Sequence, residues 1–168
     1  MVKKILLALA LILVVIQFFG IDKEVPETDP SQDFLIVAAP AAPVAILIEN
    51  ACYDCHSYKT EYPWYANVAP LSWWLQDHVN HGREELNFST WTEYSPNRAD
   101  HKLEEAAEYI ETEEMPLPSF TWTHPEARLT NEQRELMVTW FEDYRTQIRI
   151  PLPENEEGAE NEETDHQN

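Results

Sequence analysis

Residues 52–56 read Cys52-Tyr53-Asp54-Cys55-His56, a C-x-x-C-H run, and the rest of the chain is best read outward from it. Two thiols one helical turn apart can each add across a vinyl group on one edge of a porphyrin. The histidine directly after the second thiol is then held beneath the ring, where a ring nitrogen can reach the iron as proximal ligand. The spacing therefore predicts haem c attached covalently through Cys52 and Cys55, with His56 on the metal. The chain has only these two cysteines, so no further disulfide framework and no four-cysteine zinc site can form within it. A Cys-x-x-Cys pair by itself would also suit a dithiol redox site or a surface disulfide, and His56 makes those readings minor.

A chain of 168 residues allows one domain of ordinary size with appendages, and its six Trp, seven Tyr and six Phe are ample to wall a flat apolar cofactor. Gly is scarce and Pro frequent, which favours helices joined by stiff turns over a Gly-rich all-β fold. Pro43 leads into a helix over Val44 to Asn50, placing the haem motif at its end. A second helix is expected from Pro70 or Ser72 to about Glu85, with Leu71, Leu75 and Val79 along one side. A third runs from Asp100, read as its N-cap, to Glu113 on a stripe of Leu103, Ala106, Ala107 and Ile110. A fourth, Asn131 to Ile148, opens with the capping box Thr130-Asn131-Glu132-Gln133 and carries Leu136, Met137, Trp140, Phe141 and Tyr144 on one face. Together these make a small all-α domain folded round the porphyrin.

Iron in a haem has a second axial position, and the candidates for it are Met115, Met137, His78, His81, His101 and His124. Met115 is the best placed, because Met115-Pro116-Leu117-Pro118 follows a helix and two prolines stiffen the loop that presents its thioether. Met137 falls in the apolar face of the last helix, where Met is usually core. His124 is the best histidine alternative, though its setting between Thr123 and Pro125 suits a turn. His78 and His81, three apart on a helix, read as a solvated polar face. Arg83 is read as a surface ion pair with a neighbouring Glu, or as a partner for a haem propionate.

The flanks divide the chain into four parts. Residues 1–21 form a signal or anchor segment: Lys3 and Lys4 precede an apolar stretch from Ile5 to Phe19 interrupted only by Gln17. No small-x-small processing site follows, so an uncleaved membrane anchor is expected, with the N-terminus inside and the domain on the periplasmic side of the inner membrane. Export agrees with covalent haem attachment, which needs thiols outside the cytoplasm. Residues 22–42, with Pro26, Pro30 and Pro40, read as a tether holding at most one extended segment against the domain. Residues 43–153 are the haem domain. Residues 154–168, with seven acidic residues and no Lys or Arg, read as a disordered acidic tail. The net charge is −20, and from Pro40 to Pro153 there are 19 Asp plus Glu against 8 Lys plus Arg, which excludes the basic face that nucleic acid requires.

Several separated blocks carry a family resemblance. Cys52-Tyr53-Asp54-Cys55-His56-Ser57, Tyr62-Pro63-Trp64-Tyr65, Ala69-Pro70-Leu71-Ser72-Trp73, Gly82 through Ser89 with Trp91, Met115-Pro116 and His124 through Thr130 resemble, in order, the single-haem haem-binding domain family of bacterial envelope proteins. The resemblance covers roughly Val44 to Tyr144. It implies a cytochrome c-like helical domain, haem on Cys52 and Cys55, His56 as proximal ligand and Met115 as distal ligand. The chain departs from the family in Leu117 to Thr123 and in its acidic tail, positions that bear on partner choice.

With both axial positions filled there is no open site for a substrate, so the expected function is electron transfer by a membrane-tethered monohaem cytochrome, a carrier and not an enzyme. Its partners are then redox proteins of the cell envelope and the inner membrane. The alternative is a peroxidase-like haem enzyme or a redox or gas sensor with an open or histidine-held sixth site, His124 or His81 serving above the iron. A third reading is a structural module in which haem acts as a folding staple.

Overall fold

Thr130 Oγ1 accepts a hydrogen bond from the Gln133 backbone N–H (3.2 Å), and the Gln133 side chain accepts one from the Thr130 N–H (2.8 Å). This reciprocal cap starts the last helix where the sequence places it, at Asn131–Ile148. The computed structural model describes residues 1–149; the acidic tail and the end of the expected 43–153 domain lie outside them. Helices are the only regular structure among the described residues, as the all-α reading requires. They are α1 Val2–Ile16, α2 Phe34–Ala38, α3 Ala42–His56, α4 Leu71–Glu85, α5 Pro96–Glu111, α6 Pro118–Thr121 and α7 Asn131–Ile148, with short 3-10 turns between them.

α5 packs against α7, and α3 packs against α4 and α7. α5 begins earlier than expected: Ser95 is its N-cap and Pro96 occupies the first turn, leaving Asp100 inside the helix. There Asp100 accepts from Arg145 (2.9 Å) and Arg149 (3.1 Å) of α7, so its carboxylate joins two helices instead of capping one. α3 is also longer than its apolar run suggests, because it continues through the haem motif and stops at His56.

The larger departure is in the stretch read as a tether. Asp33 caps α2 by accepting from the Leu35 N–H (3.1 Å), and the next residue, Phe34, is wholly buried. Its ring lies against Phe88 (4.8 Å between centroids), Trp91 (4.6 Å) and Tyr144 (5.7 Å), at the centre of the main hydrophobic cluster. The segment packs on the domain as a helix and not as an extended strand. Five residues are too few for periodicity to show, and only the Asp33 cap marks the element in the sequence.

Apart from Lys3 and Lys4, α1 is apolar, and it is exposed from Val2 to Val15. Its helical part ends at Ile16, and no helix among the described residues is long and apolar enough to cross a membrane. The apolar stretch expected from Ile5 to Phe19 is not helical to its end, because Gln17 to Lys23 leave the helix and lie on the domain. Gln17 exchanges two side-chain hydrogen bonds with the Ala69 backbone (2.9 and 3.0 Å), and Ile21 packs against the small cluster of Ala66, Leu75 and Val79.

Candidate functional site

The haem motif is held by its own odd residues. Tyr53 is buried, stacks on Phe88 (5.3 Å between centroids, 8° between planes) and donates its hydroxyl to Asp33 (2.9 Å). Asp54 accepts from the Glu61 N–H (2.8 Å), and the fully buried Ser57 donates to the Tyr53 carbonyl (2.7 Å). With Tyr53 locked into the core, Cys52, Cys55 and His56 line a cavity of about 530 Å³. That is within the roughly 300–1,000 Å³ of a cofactor site.

α4 closes one wall through Gly82. A Cβ built there would stand 2.8 Å from the Cys55 carbonyl oxygen, so only glycine lets α4 approach the motif this closely. A lone Gly inside a helix costs about 1 kcal/mol against Ala, a signal from which the sequence could have shown this contact. Arg83, the next residue, pairs with no neighbouring Glu among the described residues. It donates to the Ser57 carbonyl (2.8 Å) and the Thr60 hydroxyl (2.8 Å), stapling the turn that follows the motif. The lysine lining the cavity is Lys102, paired with Glu85 (3.3 Å) and Glu105 (3.0 Å).

Met115 enters the same cavity from the loop between α5 and α6. Glu113 turns the chain through a left-handed conformation (φ 63°), and the Met115 N–H donates back to the Tyr109 carbonyl (2.9 Å). From α7, Arg134 Nη1 donates to the Met115 carbonyl (3.1 Å) and to the Ile110 carbonyl. Nothing in the sequence singled out Arg134. The apolar lining comes from Leu86, Phe88, Ile110, Phe120, Leu129 and Phe141. Met137 also reaches the cavity while belonging to the main core.

Of the histidine candidates, His78 and His81 line the cavity, whereas His124 and His101 do not. His124 stacks on Phe120 (4.1 Å between centroids), is hydrogen-bonded to the Phe120 carbonyl (3.1 Å) and faces Asp54 at 4.0 Å, which is the turn role expected of it. His101 is exposed beside Glu104 and Glu105.

The donor chemistry suits a haem. His56 Nδ1 stands 3.1 Å from the Leu86 carbonyl, which can only accept, so Nδ1 carries the proton and Nε2 keeps a lone pair. Burial lowers the basicity of His56, against the opposing pull of the Leu86 and Gly82 carbonyls, and keeps it in the neutral form that ligates metal. Burial pushes the Cys52 thiol up to about 12 and the Cys55 thiol up to about 11. Reactive dithiols have depressed values, so this environment is the opposite of a disulfide oxidoreductase site.

An all-α domain with a C-x-x-C-H helix facing an apolar, cofactor-sized cavity defines a haem protein by fold and by donor set. The haem-binding domain family model matches residues 11–143, and the chain belongs to that family. Its cofactor is haem. The match starts inside α1 and takes in the buried Phe34, well ahead of Val44. No curated protein and no solved structure matches the chain.

Proposed function

We propose that the protein is a monohaem c-type electron carrier of the cell envelope, held at the inner membrane by α1. Cys52 and Cys55 hold the haem through thioether bonds, and His56 and Met115 are the axial ligands. The observation that carries this reading is that all four residues, from α3 and from the loop after α5, line one apolar cavity. The haem iron supplies one-electron chemistry at a tuned potential. The chain's own work is to fix the imidazole through Leu86, to hold the thioether through its loop, and to exclude water with the aromatic walls. A thioether opposite imidazole raises the potential and leaves no open position for substrate, which favours a carrier over an enzyme. Redox proteins of the envelope are the partners on this reading.

His78 and His81 on the same cavity favour one second reading, a haem enzyme or sensor whose sixth position is histidine-held or open. Optical spectroscopy of the matured protein separates the two. The carrier reading expects haem that survives acidic acetone and denaturing electrophoresis, a low-spin ferric spectrum with the weak thioether-to-iron band, and slow cyanide binding. A high-spin ferric spectrum, or haem extracted by acidic acetone, overturns it.

A further inference from the structure

The segment Gln17–Lys23 is not a free linker. Beyond the paired bonds between Gln17 and Ala69, Trp73 Nε1 donates to the Phe19 carbonyl (2.7 Å), Gln76 to the Asp22 carbonyl (2.6 Å) and Lys23 to Asn67 (2.8 Å). The residues that follow the apolar helix α1 are therefore fastened along the 3-10 turn Trp64–Asn67 and the first turns of α4.

The surface to which they are fastened is unusual for this chain. A quarter of all residues are charged, yet Trp64 to Gln76 contains no Asp, Glu, Lys or Arg. Trp64 is 77% exposed, Leu71 50% and Trp74 45%, with Val68 and Trp73 also open to solvent. Leu75, Val79 and Ser72 fill the inward side of the same helix, so these exposed side chains do not serve the core. Large apolar side chains exposed together along a charge-free stretch of a strongly charged molecule mark an interaction site. Tryptophan, apolar with one donor, is the residue enriched at the boundary between hydrocarbon and water.

We propose that this face, Trp64 to Trp74, rests in the headgroup region of the bilayer that takes up α1, fixing the domain's height and tilt on the membrane. The occupant follows from continuity: the residues ending α1 are bonded to this face, so whatever receives α1 is brought against it. The net charge of −20 disfavours an anionic lipid surface and points to a zwitterionic one. The inference rests on the anchor reading of the preceding subsection. It adds that the domain is seated and not swinging, so the haem cavity keeps one aspect toward soluble redox partners.

The test uses the full-length, haem-loaded protein in phosphatidylcholine vesicles, with photoreactive benzoylphenylalanine in place of Leu71, of Trp74 or, as control, of Leu136. Leu136 is exposed on α7, which packs with α5 and α3. Flotation and photocrosslinking are read on the same sample, and retained covalent haem reports folding. Flotation with phospholipid adducts at 71 and 74, and none at 136, is the expected result. Flotation without adducts at 71 and 74 overturns the seated face while leaving the anchor intact. Failure to float overturns both, and crosslinks at 71 to a second copy of the chain in place of lipid would overturn the seated face in favour of an interface between copies.

Discussion

Arg134 of α7 donates a hydrogen bond to the carbonyl oxygen of Met115 across 3.1 Å, and the same nitrogen donates to the carbonyl of Ile110 near the end of α5. One guanidinium thus ties the last helix to the loop that presents the proposed distal ligand. Its Nε is buried without a partner among the described residues, so the geometry serves the two carbonyls at the expense of a third hydrogen bond.

Removing this tie should loosen the ligand before it unfolds the protein. Arg134→Gln should weaken the thioether-to-iron band, lower the potential and speed cyanide binding, and Arg134→Lys, which keeps a charged donor, should recover part of each. A band and potential equal to the parent's would show that Met115 is placed by its prolines alone.

The two methionines of the cavity should separate by what they change. Met115→Ala should abolish the band and open the sixth position with covalent haem retained. Met137→Ala should keep the band and cost about 2–5 kcal/mol in thermal unfolding, as for a buried core side chain. An intact band in Met115→Ala would pass the ligand role to a histidine.

Gly82→Ala offers a test of the close approach between α4 and the motif. Alanine gains about 1 kcal/mol in helix propensity, but its Cβ would meet the Cys55 carbonyl, a backbone atom that cannot swing aside. Overpacking of this kind costs about 1–3 kcal/mol, so net destabilisation is expected, with a lower yield of haem per chain. Stability and haem content at parent level would mean that α4 shifts freely.

Arg145 is buried and joins α7 to α5 through Asp100 (2.9 Å) and Glu104 (2.9 Å), with Glu142 (2.7 Å) on its own helix. Desolvation acts to raise Asp100, but hydrogen bonds from Arg145 and Arg149 outweigh it and hold the carboxyl below its usual range; Arg145 does the same for Glu104. Groups so depressed contribute stability that is complete above their unfolded values and lost as pH falls through the folded ones. Arg145→Ala should cost about 1–3 kcal/mol at neutral pH. Because the unfolded carboxyls titrate near 4, the gap from the parent should narrow below about pH 4. A gap unchanged at pH 3 in urea titrations would assign the loss to packing.

What the sequence determined by itself is local. The haem motif at the end of α3, the capping box at Thr130 and the apolar stripe from Leu103 to Ile110 are short-range patterns, and each lies on a helix because neighbouring side chains there are fixed by its pitch. Boundaries were legible at α7 through its capping box and at α4 through Pro70. Ser95-Pro96, and not Asp100, starts α5, and Asp33 is a cap within a proline-rich stretch. Tertiary structure alone decided that Phe34 occupies the centre of the core, that Arg83 staples a turn, that Gly82 is a contact surface, and that Arg134 reaches Met115. It also decided which of six candidate ligands share a cavity with His56. These relations join residues far apart in the chain, and they depend on how α3, α4, α5 and α7 are set against one another. Packing geometry sets that arrangement, and no pattern within a single helix records it.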